Sequence, residues 1–320
     1  MSDNFPPQSR GWVWRGGVLP GSLELHTLPV RPLQSDEVLV HNHAIGLNPV
    51  DWKVLDTQIG MVPGVDGAGE VVAVGADVDT DWLGARVAYH QSLTMPGSFA
   101  EHTAVNVQVL LRLPHSLDYV SAAAFPCPAL TAFQAIEKIP VRTGAPVLVA
   151  GAGGSVGHYL VQLAHKRGFN VITASSKRHW TRLKALGASE CIDDPLMPGH
   201  RPYYAVIDAV SPEQAERLSI NLQANGHIVC IQGRVGQWPC APFGRALSMH
   251  EVALGALHTY GDAQQWQALT QQGEQMLNAQ ALGELRGEML LTFPFETLPE
   301  QLLALQHRNF SGKQIIQLKD

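Results

Sequence analysis

Through the first third of the chain, apolar and polar residues alternate in short runs. "DEVLVHNHAIG", "GEVVAVG" and "GARVAYH" show a period of two and are separated by Gly, Pro and Asp, the pattern of strands joined by turns. The opening "DNFPPQSR" has no such period and is expected to be a loose tail. After "LPHSLDYVSAAAFPCPALTAFQAI" an Ala-rich helical spacing takes over. From Ala145 strand and helix alternate: "PVLVAG", a helix from about Ser155 to Arg167, "NVITAS", a helix to Gly187, "ECIDD", "YAVIDAV", a further helix, and "GHIVCIQGR". Strands spaced by helices in this way predict βαβ units and a parallel sheet. The last stretch, after about residue 260, predicts two helices and two strands, "EMLLTFPF" and "KQIIQLKD".

Length and composition narrow the class. The chain has 320 residues, 45% of them hydrophobic and 16% charged, which suits a well-buried globular protein of two domains. Its net charge of −6 comes without a basic stripe, so nucleic acid is not an expected partner. "MSDNFPPQSRGW" lacks an apolar leader, and no apolar run reaches the roughly 18 residues of a membrane span. Cys127, Cys191, Cys230 and Cys240 form no CxxC pair and read as reduced thiols, so a cytoplasmic protein without membrane contact is expected.

The candidate chemistry starts in "LVAGAGGSVGHYLVQLAHKRGFNVITASSKRH". Four glycines fall within seven positions between a predicted strand and a predicted helix. Gly151 and Gly153 would allow a tight turn, Gly154 the approach of a pyrophosphate, and Gly157 close helix–strand packing. Ser155 and Val156 then open a helix whose N–H groups have no intrahelical acceptor. A merely flexible turn would also use glycines, but strand, loop, helix and second strand in this order point to dinucleotide binding. Sites selective for NAD place Asp or Glu at the end of the second strand. Here Ser175, Ser176, Lys177 and Arg178 stand there instead. Hydroxyls and cations suit a 2′-phosphate, so NADPH is the expected cofactor.

With these residues in view, the sequence resembles the medium-chain dehydrogenase/reductase superfamily, in its zinc-free quinone oxidoreductase branch. The resemblance rests on "GLNPVDWK", "PGVDGAGEVVAVG", "GSFAEHTAV", "LTAFQAI", the glycine loop, "LKALGA", "NGHIVCIQG" and "FSGKQIIQL". It implies an α/β protein with a GroES-like β-barrel catalytic domain over residues 1–120. A Rossmann-type, doubly wound parallel-sheet cofactor domain would cover 121–255, and the segment 256–320 would return to the catalytic domain. It further implies that Thr131, Gly233 and Lys313 join the loop residues in holding the cofactor, and that the protein forms a homodimer through a sheet edge at "VALGALHTY".

A catalytic zinc takes three protein ligands. The resemblance puts Asn48 and Val65 at two of those positions, leaving Cys127 alone near a third, so a metal-free protein is expected. Asn48 either donates to the substrate oxygen or shapes the "LNP" turn, and Lys53 is either a proton donor or an ion-pair partner of Asp51 or of a nearby acid. Tyr89 is expected, beside His90, at a strand end facing the substrate cleft, or as a core aromatic. Phe243, with Arg245, Met249 and the loop around His258, is expected to shape the pocket. Many relatives carry a tyrosine in a longer insert where "VLDTQIGMVPG" is short. The implied function is NADPH-dependent hydride transfer to a quinone or activated enone. Alternatives are a 2-enal or 2-enoyl reductase, and a non-catalytic NADPH-binding sensor or structural protein.

Overall fold

A computed structural model describes residues 6–197 and 202–319. The first residues of the expected N-terminal tail, 3–5, lie outside them. The rest is not a loose tail: Gln8–Val13 is a strand paired antiparallel with Glu24–Pro29. Gly11 and Val13 bury alternate positions of that strand, an ordering that the neighbouring prolines mask in the sequence.

The chain forms two compact units. The first holds the chain up to Cys127, then Gly255–Leu285, then Met289 onward; the second holds Pro128–Leu254 and Arg286–Glu288. In the first unit the long strand Glu37–Gly46 organises a seven-stranded sheet. One of its edges pairs with Asp66–Val74. The other pairs with His102–Asn106 along Glu37–His41 and with Lys313–Gln317 along Ala44–Gly46. This change of partner brings the last strand of the chain beside one of the first. Arg86–His90 and Leu110–Arg112 extend the sheet beyond Asp66–Val74, and Leu290–Pro294 runs parallel to Lys313–Gln317. Trp14, Ile45, Leu47, Phe99, Leu302 and Ile316 pack the core of this unit.

The second unit is a six-stranded sheet in which every pairing is parallel. Its spatial order is Glu190–Ile192, Asn170–Ala174, Pro146–Ala150, Tyr203–Asp208, Leu222–Cys230, Ser248–Glu251. Numbered along the chain, that is 3-2-1-4-5-6, the doubly wound arrangement in which ligands sit where the order reverses. Helices cover both faces, so "PVLVA" and "YYAVID" are buried almost throughout and read as apolar runs without alternation. The edge strand is Ser248–Glu251; "VALGALHTY", expected there, contributes instead the helix Ala256–Tyr260. The edge strand is half-buried and short of apolar residues, so it carries no periodic signal. Among the described residues no helix is long and apolar enough to cross a membrane.

Of the two places expected for Tyr89, the substrate cleft and the core, the structure gives the core of the first unit. Tyr89 is fully buried, and its hydroxyl donates to Asn42 Oδ1 at 2.7 Å. Asn42 Nδ2 in turn donates to Ala100 O at 2.8 Å and Thr103 Oγ1 at 2.9 Å. Removing the hydroxyl strands a buried acceptor, a cost of about 1–3 kcal/mol. Tyr89→Phe is therefore expected to lower the unfolding free energy, read by denaturant titration, by that amount while turnover per folded molecule holds. Wild-type stability with lost turnover would return Tyr89 to the substrate site.

Candidate active site

The glycine loop lies at the reversal point of the parallel sheet, between Pro146–Ala150 and the helix Ser155–Lys166. Gly151 sits at φ 77°, a left-handed conformation, and a Cβ there would come within 2.9 Å of Val210. Val210 follows the strand on the other side of the reversal. Asp208 holds that turn, its Oδ1 accepting from Val210 N and Ser211 N, both at 2.9 Å. Gly153 lies in the expected turn, which Gly154 N closes on Gly151 O at 3.2 Å, and has an ordinary backbone conformation. Its missing side chain makes room for the His179 ring, which a Cβ would approach to 2.6 Å. Gly157 lets the helix close on the Ala152 backbone, as expected. Gly154 has an open face: a Cβ there would meet nothing nearer than Gly151 O at 3.7 Å. An open cradle beside the first-turn N–H groups of Ser155, Val156 and Gly157 fits a dinucleotide phosphate.

Ser175, Ser176, Lys177 and Arg178 follow Asn170–Ala174, which pairs directly with Pro146–Ala150. Gly151 N and Ala152 N both donate to Ala174 O, at 3.1 and 3.2 Å, so loop and basic turn share one backbone junction. Trp180 Nε1 donates to Ser175 O at 3.1 Å and fixes the turn. Lys177 Nζ lies 3.6 Å from Asp193 Oδ2, but both side chains are mostly exposed and such a pair is weak. Gly233, at φ 116°, follows the strand Leu222–Cys230 at the same end of the sheet. Thr131 is buried in the helix Pro126–Glu137. The second unit thus brings together the loop and the basic turn.

Lys313 belongs to the first unit, where it completes a buried polar cluster. Its Nζ donates to Asn48 Oδ1 at 2.5 Å and stands 4.0 Å from Asp66 Oδ2. Asn48 Nδ2 donates to Asp66 Oδ2 at 2.9 Å and to Gly46 O at 3.1 Å, which engages both hydrogens of the amide. Asp66 also accepts from Cys127 N at 3.0 Å. Asp51, the third residue of the helix Pro49–Lys53, accepts from Asn48 N at 2.6 Å and from Val65 N at 3.1 Å. It serves these backbone donors and does not pair with Lys53. Lys53 is an exposed residue whose ammonium lies 5.7 Å from the centre of the Trp52 ring. Burial pushes both Asp51 and Asp66 up to about 7, with the nearby Lys313 and the hydrogen bonds pulling the other way. Asp66 was missed in the sequence; an acid beside the apolar Val65 in "PGVDG" was its only signal.

Beside this cluster, His90 stands opposite Asp66 in the strand register. His90 Nδ1 lies 3.1 Å from His258 Nε2, and the His258 ring packs on Trp266. Phe243 and Arg245, expected to shape a pocket, do other things. The Phe243 ring is fully exposed to solvent, and Arg245 Nη1 donates to Ser219 O and Ile220 O, each at 2.7 Å. Burial, reinforced by the neighbouring His258, depresses His90 to about 3, and burial depresses His258 to about 4. A carboxyl raised on folding contributes stability that is complete below its usual 3.8 and is lost as pH climbs to about 7. An imidazole depressed on folding contributes above its usual 6.5 and loses that as pH falls to about 3. The two sets oppose each other between these values. In His90→Leu, stability is expected to decline with rising pH more steeply than in the wild type, by up to about 1.4 kcal/mol per pH unit. Denaturant titrations across that window would read it; equal slopes would mean that His90 is not held neutral.

Comparison with known proteins gives this arrangement a family. Residues 34–115 match the alcohol dehydrogenase GroES-like domain. The chain is 33% identical over 238 residues to the chloroplast envelope quinone oxidoreductase homolog of Arabidopsis thaliana, covering 68% of this chain and 72% of that protein. It is 30% identical over 253 residues to the chloroplastic NADPH-dependent alkenal/one oxidoreductase of the same plant, covering 72% of this chain and 64% of that one. The solved quinone oxidoreductase of Coxiella burnetii superposes with a TM-score of 0.84 at 24% identity, over 98% of this chain and 100% of that one. That likeness speaks for the fold, with its GroES-like and Rossmann-type parts, while the sequence identity to the Arabidopsis homolog speaks for kinship. The chain belongs to the medium-chain dehydrogenase/reductase superfamily, in its quinone oxidoreductase-like branch of oxidoreductases.

Proposed function

We propose that this protein is an NADPH-dependent, zinc-independent reductase of quinones or activated enones. The observation that carries the cofactor choice is the basic turn Ser175–Ser176–Lys177–Arg178, tied by backbone hydrogen bonds to a glycine loop at the sheet reversal. Gly151 through Gly157 would hold the pyrophosphate, and the turn the 2′-phosphate. When bound, the nicotinamide supplies the hydride that the substrate carbon accepts.

Zinc independence is supported by the cluster of the first unit. Asn48 Oδ1, which the family resemblance sets at a ligand position, accepts from the Lys313 ammonium. Among the described residues no three His, Cys, Asp or Glu side chains converge as a metal-holding set. A quinone suits such a site, because a hydroquinone anion is stable enough to take its proton from water. An enal or enoyl substrate is the second reading, favoured by the likeness to an alkenal/one oxidoreductase.

Asn48 works through its neighbours in this reading. With both amide hydrogens engaged, it bridges Lys313 to Asp66 and keeps a buried cation at a fixed place. A preorganised charge of this kind stabilises charge that grows in the transition state without reorganising.

Stopped-flow oxidation of NADPH and NADH against a panel of quinones, enones and 2-enals, in the presence of a chelator, tests the whole reading. NADPH is expected to bind at least about tenfold more tightly than NADH, and Lys177→Glu to erase that preference. Turnover abolished by the chelator, equal affinities in the wild type, or NADPH binding without oxidation by any member of the panel would each overturn its part. Asn48→Ala is expected to cost about 1–3 kcal/mol of stability, since Lys313 and Asp66 lose their shared bridge. It should also lower kcat per folded molecule at least about tenfold, with NADPH affinity changing less. Full turnover in an early-melting variant would make Asn48 purely structural.

A further inference from the structure

A three-residue strap, Arg286–Glu288, packs on the glycine-loop helix of the second unit, although the chain on either side of it belongs to the first. Gln162 reads its backbone from both sides. Gln162 Nε2 donates to Arg286 O at 2.8 Å, and Arg286 N donates to Gln162 Oε1 at 2.9 Å. Arg182 donates to Gly287 O, and Gly287 lies so close to Tyr159 that a Cβ would stand 2.8 Å from the phenol oxygen. The strap ends with Glu288, a largely buried carboxylate that accepts from Ser155 Oγ at 2.6 Å.

Ser155 is the first residue of the helix Ser155–Lys166, and Gly154, with its open face, caps it. The N–H groups of this first turn are those that a dinucleotide phosphate would use. A helix N-terminus stabilises a carboxylate for the same electrostatic reason that it stabilises a phosphate. Two anions drawn to one helix turn repel each other, the more so where burial limits screening. His158, in the same turn of helix, bonds through Nδ1 to Gly154 O at 2.9 Å and lies close enough to Glu288 to feel its charge.

We propose that Glu288 is a resident anion that competes with the cofactor's pyrophosphate for the first turn of the helix Ser155–Lys166, and so sets the affinity for the dinucleotide. Binding then requires the carboxylate to give way from Ser155, and release is assisted by its return. The inference rests on the glycine loop being the cofactor site, as in the proposed function.

Glu288→Gln keeps an acceptor for Ser155 and removes the charge. Fluorescence titration is expected to show NADPH binding at least about tenfold more tightly to this variant than to the wild type, a difference of about 1.4 kcal/mol. Adenosine 2′-monophosphate, which carries the 2′-phosphate and no pyrophosphate, should bind both proteins equally. Glu288→Ala, checked by its melting curve, should show the same gain and serves if the Gln variant does not fold. NADPH affinities within about twofold of the wild type in a folded variant would overturn the proposal and leave the cofactor assignment standing. An equal gain for adenosine 2′-monophosphate would also overturn it, since the effect would then be general charge. Failure of the folded wild type and both variants to bind NADPH at all would sink the cofactor assignment itself.

Discussion

The first unit is held around a buried charge cluster of Asp66, Asp51 and Lys313, bridged by Asn48. An isolated buried ion costs several kcal/mol, so a cluster of this kind persists only if its members are partnered. Asp66 receives Asn48 Nδ2 and Cys127 N, with the Lys313 ammonium nearby, while Asp51 receives the backbone of Asn48 and Val65. These bonds join four stretches far apart in the chain: the "LNPVD" turn, the start of the strand Asp66–Val74, the helix beginning at Pro126, and the final strand. The pairing of Lys313–Gln317 with Glu37–Gly46 is what delivers Lys313 to this place. Burial raises both carboxyls, so the charge state of the cluster is set by its geometry.

The second unit is organised around the glycine loop, where the proposed function puts the cofactor. Its parallel sheet reverses its order beside the glycine loop, so two strands end with their turns side by side. Asp208 pins one turn, and Ala174 O takes two N–H groups from the other. These bonds hold the backbone on both sides of the loop that leads into the helix Ser155–Lys166. A preorganised helix turn of this kind can hold an anion through its backbone dipoles. The Glu288 carboxylate meets the same turn through Ser155 Oγ, at 2.6 Å.

Much of this was written in the order of residues along the chain. The strand–glycine loop–helix–strand sequence, the parallel core strands and the basic turn at Ser175–Arg178 follow from local periodicity and from residues close in sequence. The family motifs added the barrel and the return of the C-terminal segment, which periodicity left without a home. Local rules were less informative where the role of a residue depends on a distant partner. Tyr89 and its alternating neighbours look the same whether the hydroxyl faces substrate or Asn42, and only the fold supplies Asn42. Gly153 reads as a turn glycine, and only the fold sets the His179 ring against it.

What the sequence determined by itself was the kind of protein: two units, a glycine loop between strand and helix without an acid at its second strand, and membership in an oxidoreductase superfamily. Those features are encoded within windows of a few to about thirty residues, the range over which spacing sets backbone conformation. What only the tertiary structure decided was the assignment of charges. Lys313 meets Asn48 across 265 positions, and Glu288 meets Ser155 across 133. No local pattern specifies such pairs, because hydrogen bonds and burial act on distance in space, and the chain sets that distance only once its strands have chosen their neighbours.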